Sequence, residues 1–153
     1  PQIEPEIKLK IAAFFPDYYI RETGLRYQAY RKLASTVQAT NEDLTHFYEE
    51  IIDRFGPMPL EAEALFALMY LKQKLTKLRI EKLEEGKDSL VIHFSDQTCV
   101  RPETILSFVN NRNKKKENIG LTRFTSNNQL LIPIDRRTNI LNLANEIIQK
   151  LEI

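Results

Sequence analysis

Residues 40 to 57, TNEDLTHFYEEIIDRFGP, carry both ends of a helix and its buried face in one stretch. Thr40 fits the N-cap, where a side-chain oxygen takes a free N–H of the first turn. Asp43 occupies the capping-box position, more often held by Glu or Gln. Leu44, Phe47, Tyr48, Ile51, Ile52 and Phe55 follow at spacings of 3, 1, 3, 1 and 3, which places all six on one helical face. Gly56 can take the left-handed C′ conformation, and Pro57 prevents continuation. A helix bounded this closely has to lay its apolar stripe on something, so the remaining residues must supply a core.

They do so with periodic segments of both kinds. EIKLKIAA at 6 to 13 alternates, with Ile7, Leu9 and Ile11 on one face and Glu6, Lys8 and Lys10 on the other, which predicts a half-buried strand. Pro16 interrupts FFPDYYI inside a dense aromatic group. Leu25, Ala29, Leu33 and Val37 recur at helical spacing, with Arg26, Arg31 and Lys32 on the outer side. Pro59 opens a long helix to about Lys77, striped by Ala64, Leu68, Leu71, Leu75 and Leu78. LRIEKL and SLVIHF, separated by EEGKD, read as a hairpin with Leu90, Ile92 and Phe94 on one face and Val91 and His93 on the other. Pro102 starts a helix of about ten residues that ends in NNRNKKKEN. LTRFT and LLIPI, joined by SNNQ, make a second hairpin. Thr138 is the expected N-cap of a last helix burying Ile140, Leu143, Ala144, Ile147, Ile148 and Leu151. The expected class is α+β: one domain over 1–153, with helices packed on a small, mainly antiparallel sheet built from hairpins.

A chain of 153 residues suffices for one domain with its own core. Its 22 basic and 21 acidic residues leave a net charge of +1, which gives no reason to expect dedicated nucleic-acid or membrane binding. No apolar run approaches the roughly 20 residues of a membrane span. Cys99 is the single cysteine, which excludes an internal disulfide framework and suits a reducing compartment. With Pro1 in place of Met, the chain reads as a cytoplasmic, monomeric fragment of a longer protein.

Catalytic chemistry finds little to stand on. The four glycines form neither a GxxxxGK[ST] nor a GxGxxG loop, so no nucleotide cofactor is expected. Cys99, His46 and His93 lack metal-ligand spacing, so no metal is expected. His93 stands near Ser95 and Asp96, but no nucleophile elbow accompanies them, and no catalytic residue is assigned. Arg112, Lys114, Lys115 and Lys116 form a basic run, and Arg136 and Arg137 another. Exposed loops carry such runs for solvation; the alternative is an accessory nucleic-acid-binding domain using 112–116 and 136–137.

The second helix raises a sharper question. Asp43, His46, Glu50 and Asp53 form a polar stripe beside the apolar face. Glu49, Glu50 and Asp53 crowd the helix end whose dipole disfavours anions. Glu50 can pair with Arg54 at i,i+4, whereas Asp53 has Pro57 at that position and Glu49 one turn before it. This flank is either solvated or paired with the basic side of the first helix, or it is a docking edge for a basic partner.

Three stretches resemble a known family: PEIKLKIAAFFPDYYI, RYQAYRKLAS and EEIIDRFGPMP. Together they are similar to the C-terminal domain of the bacterial transcription-repair coupling factors, the Mfd family. The matching positions are Pro16, Tyr19 and Ile20, then Arg26, Tyr30, Arg31 and Lys32, then Glu50, Ile51, Ile52, Asp53, Arg54, Phe55, Gly56 and Pro59. Ile51 stands where Leu is commoner. The likeness spans most of the chain but is distinctive over residues 5 to 60; the C-terminal third matches mainly in its order of elements. It implies a parent that is an ATP-driven DNA translocase, displacing stalled RNA polymerase and recruiting excision repair through UvrA. The terminal domain would be non-catalytic, packing on the UvrB-like module of its own chain and covering the surface UvrA must reach. The resemblance matches the family's acidic residues on this helix to Glu50 and Asp53, and Arg54 and Glu49 beside them complete the expected partner contact.

Overall fold

The computed structural model describes residues 3–115 and 119–152. Lys116 of the basic run therefore lies outside the described residues. The chain divides into two compact units, one made of Pro1–Lys10 with Lys74–Ile153, the other of Ile11–Gln73. The described residues contain five α-helices and a five-stranded, mainly antiparallel sheet.

The first unit holds the sheet, with β1 (Glu6–Lys8), β2 (Ile80–Glu85), β3 (Ser89–Phe94), β4 (Arg123–Phe124) and β5 (Gln129–Pro133) in the order β1-β2-β3-β5-β4. β1 runs parallel to β2 and every other neighbour is antiparallel. The expected first strand shrinks to three residues because only Glu6, Ile7 and Lys8 find partners on β2. The predicted hairpin is present, with Leu90, Ile92 and Phe94 buried. β2 starts two residues later than LRIEKL suggested, and its alternation is broken. Ile80 and Leu83 are both fully buried although an odd number of residues apart. The register slips between Ile80 and Lys82, so that an extra residue re-phases the strand and returns both side chains to the core.

Helix α4 (Pro102–Asn113) buries Ile105 and Phe108, and α5 (Ile140–Leu151) buries Ile140, Ala144, Ile147, Ile148 and Leu151. Leu143, expected inside, is half-buried. The cap of α5 is Asn139, one residue later than expected. Its side chain accepts the Asn142 N–H at 3.0 Å. Thr138 instead closes the preceding turn, its Oγ1 accepting the Asp135 N–H at 3.0 Å.

The second unit is helical. α1 (Thr23–Ser35) continues into a 3₁₀ turn, Thr36–Gln38, and together they bury Ala29, Leu33 and Val37 of the predicted stripe, while Leu25 is half-buried. Arg26 does not face outward with its basic neighbours. Its guanidinium donates to the Ile20 carbonyl at 2.9 Å, tying the start of α1 to the preceding turn. α2 (Asn41–Phe55) is followed by α3 (Leu60–Leu78), which runs from this unit into the first. The buried face of α3 in this unit is Ala62, Leu65, Phe66 and Leu71, whereas Ala64 and Leu68 are only half-buried. Phe66 explains the rotation. Its ring meets Phe15, Phe47 and Tyr48 at centroid distances of 6.1, 5.7 and 5.2 Å, so the aromatic cluster chooses which side of α3 is inside.

Candidate docking site on the second helix

Both ends of α2 are made by the residues that announced them. Thr40 Oγ1 accepts the Asp43 N–H at 3.1 Å, and Asp43 returns a carboxylate oxygen to the Thr40 N–H at 3.4 Å. Leu44, Phe47 and Ile51 are buried. At the far end Gly56 has φ 94° and ψ −170°, which keeps the positive φ expected of it but not the left-handed helical ψ. Only glycine enters that region without strain. The Gly56 N–H still closes the last turn on the Ile52 carbonyl at 2.8 Å. Its own carbonyl accepts the Tyr19 hydroxyl at 2.6 Å, while the Tyr19 and Phe55 rings lie 6.0 Å apart. Burial raises the Tyr19 phenol's pKa above its ordinary value, and the Glu63 charge adds to this.

On the outer side of α2 the four assigned residues divide into two pairs. Glu50 does not use Arg54. Its carboxylate meets Lys32 Nζ of α1 at 3.2 Å, and the same ammonium lies 5.1 Å from the Phe47 ring centroid. The pair is exposed, so it contributes at most about 1 kcal/mol. Arg54 instead stands over the Phe55 ring at 5.0 Å. Glu49 and Asp53 are exposed and have no ion-pair partner among the described residues. The negative end of the helix therefore keeps two uncompensated carboxylates, one turn apart. On the opposite flank Tyr48 donates to Glu63 at 2.5 Å. That bond, followed by burial, pushes its pKa up to about 12. Lys32 as the partner of Glu50 was not assigned from sequence; the only signal was the basic outer side of the first helix.

The other candidates do not assemble into a site. His93 Nε2 lies 3.2 Å from Glu84 Oε1, and its Nδ1 lies 3.2 Å from Gln129 Nε2. The His93 hydrogen bond holds the Glu84 carboxyl below its usual range. Ser95 Oγ donates to the Arg79 carbonyl at 2.7 Å, and Asp96 accepts from Asn128, so neither serves His93. Among the described residues no group of His, Cys, Asp or Glu is arranged to hold a metal ion, and no helix is long and apolar enough to cross a membrane. Arg112 pairs with Glu146 at 3.2 Å, and Arg137 with Asp135 at 3.6 Å. A cleft of about 480 Å³ is lined by, among others, Arg101, Glu103, Phe108, Arg112, Lys115 and Lys150, and Glu146 pairs with Lys150 at 3.8 Å as well as with Arg112. Arg101 and Lys150 join that basic group only through the fold.

The profile of the TRCF domain family matches residues 9–105, which contain the whole of α2. The transcription-repair-coupling factor of Rickettsia typhi is 31% identical over 148 residues, covering 94% of this chain and 12% of its own length. That of Escherichia coli is 30% identical over 120 residues, covering 78% of this chain and 10% of its own. The chain thus spans about an eighth or less of the relatives it matches. The crystal structure of a C-terminal domain of transcription-repair coupling factor superposes with a TM-score of 0.77 at 20% identity, covering 99% of this chain and 93% of that one. The chain belongs to the TRCF domain family of the transcription-repair-coupling factors, and it has the fold of such a factor's C-terminal domain.

Proposed function

We propose that this domain is the non-catalytic regulatory end of a transcription-repair-coupling factor, acting in transcription-coupled nucleotide excision repair in the bacterial cytoplasm. It docks through α2 on the UvrB-like module of its own chain and masks the surface that UvrA would bind. The ATP-driven translocation on DNA and the displacement of RNA polymerase belong to other domains of the parent. The observation that carries this reading is the pair of uncompensated carboxylates, Glu49 and Asp53, at the negative end of a helix. A basic partner surface would relieve both at once, with Glu50 and Arg54 beside them at the rim.

The arrangement suits an intramolecular clamp. On one chain the two surfaces meet at high effective concentration, so individually weak polar contacts hold the closed state. Release then needs only a few kcal/mol of differential binding to shift the closed–open equilibrium. Deleting residues 1–153 from the parent should increase UvrA binding, and the domain supplied in trans should be captured by the remainder. Equal UvrA binding by truncated and full-length protein would defeat the autoinhibition reading.

The basic cleft supports a second reading, an accessory nucleic-acid site in which Arg101, Arg112, Lys115 and Lys150 face one opening of about 480 Å³. Arg136 and Arg137 line a separate opening with Asp135. Gel-shift titration across salt separates the two readings, because phosphate neutralisation imposes a steep salt slope that docking to a protein module does not share.

A further inference from the structure

The outer strand of a sheet carries unpaired N–H and C=O groups, so a sheet edge is where one copy of a chain can pair with another. The two edges of this sheet are protected differently. β1 is three residues long, follows Pro5 and carries Lys8 exposed. At the other edge the exposed side chains are apolar as well as charged: Leu121 is 64% exposed and Phe124 38%, with Arg123 between them in sequence. Protection there has to come from something other than charge alone.

Alternation fixes which backbone groups of that edge face outward. The Thr125 N–H donates to the Gln129 carbonyl of β5 at 2.9 Å, and in an antiparallel ladder alternate residues turn both groups the same way. Arg123 therefore also turns its groups to β5, while Thr122 and Phe124 turn theirs away. Those of Thr122 are already taken. Its N–H donates to Asn113 Oδ1 at 2.8 Å, and its carbonyl accepts from Asn113 Nδ2 at 2.9 Å. One side-chain amide thus closes the two-bond ring that a residue of a further strand would make. Asn113 is the last residue of α4, so the end of that helix stands where another strand would pair. Thr122 is only 2% exposed, and without the amide two polar groups would be left with little access to water.

We infer that Asn113 plugs this edge, and that the partner it excludes is the same edge of a second copy of the chain. An antiparallel pair about a two-fold axis at Thr122 remakes both bonds, between Thr122 and its own counterpart. That register sets Leu121 opposite Arg123 of the other copy, with no like charges facing. A two-fold axis at Arg123 would set Arg against Arg, which is unfavourable. An axis at Phe124 would set Thr122 against Ser126, which lies in the turn before β5. The register at Thr122 is therefore the one an unplugged edge takes. The inference is independent of the docking reading, because none of these residues belongs to α2.

Sedimentation of the 153-residue chain tests it. Wild type should stay monomeric over a concentration range in which Asn113→Ala forms dimers. Adding Leu121→Lys to Asn113→Ala should restore the monomer, because it sets Lys opposite Arg123 of the other copy. Adding Leu121→Glu instead should tighten the dimer, because the facing charges are then opposite. An Asn113→Ala chain that stays monomeric would overturn the proposal, and so would Lys and Glu at 121 acting alike. Amide hydrogen exchange on the wild type tests the plug without any variant. The Thr122 N–H should exchange about tenfold or more slowly than the outward-facing Phe124 N–H. Equal rates would show that the Asn113 amide does not hold the edge, and the proposal would fall.

Discussion

Replacing Asp53 by Asn removes one negative charge from an exposed position in the last turn of α2 and changes almost nothing else in size or polarity. The free carbonyls at that end carry the negative pole of the helix, and a charge there costs about 0.3–1 kcal/mol when its sign is wrong. Glu49, one turn back, adds like-charge repulsion of about 0.2–0.5 kcal/mol. No cation offsets either within the described residues, since Lys32 is taken by Glu50 and Arg54 lies on Phe55. Exposure and physiological salt screen both terms, so the variant should be more stable by about 0.3–1 kcal/mol. For a domain of this size that is about 1–4 °C in Tm. A urea melt and a thermal scan at low and high salt measure it, and the gain should shrink at 1 M salt, where the Debye length falls to about 3 Å. The same variant should dock more weakly on the remainder of its parent, by about 2–5 kcal/mol if the charge pair is desolvated and less at a rim. Loss of stability with unchanged docking would refute the reasoning: the carboxylate would be structural, and the acidic helix end would need another cause.

Gly56→Ala should destabilise by about 1–3 kcal/mol although a Cβ there meets nothing within 4 Å, because φ 94° with extended ψ is open to glycine alone; a denaturant melt reads the cost directly. Thr40→Ala removes half of the capping box and should cost about 1 kcal/mol by the same measurement. Tyr48→Phe deletes the bond to Glu63 and should cost about 1–2 kcal/mol near neutral pH. Because the folded-state pKa of Tyr48 is raised to about 12 from 10, its contribution is complete below pH 10 and fades as pH climbs towards 12. The gap between wild type and Tyr48→Phe should therefore narrow over that interval in alkaline melts. Reversing Arg101 and Lys150 to Glu should flatten any salt-dependent DNA retention by this chain; retention that ignores both changes would exclude the cleft as its source.

The sequence by itself determined where α2 begins and ends, from the Thr40–Asp43 box to the Gly56 stop, because caps and terminator are local to the backbone. Of its six-residue stripe, Leu44, Phe47 and Ile51 are buried and Tyr48, Ile52 and Phe55 half-buried. The β2–β3 hairpin was legible for the same reason, its alternation and turn being local. So was the family, since DRFG and the aromatic run before the first helix are contiguous stretches of sequence inside the matched residues 9–105. The tertiary structure decided what depends on residues far apart in the chain. The inner face of α3 turned on Phe66 finding Phe15, Phe47 and Tyr48, and several faces of an apolar helix would have satisfied periodicity equally. The bulge in β2 arose from pairing with Phe94 and His93, which no local pattern encodes. Glu50 passed over Arg54 at i,i+4 for Lys32, 18 residues away, because folding brought α1 alongside while Arg54 found an aromatic ring to cover. Asp53 gained no such partner from the fold. The sequence shows a carboxylate at the wrong end of a helix, but only packing determines whether a cation comes to meet it, since an ion pair between elements is set by distances that the chain acquires when it closes on itself.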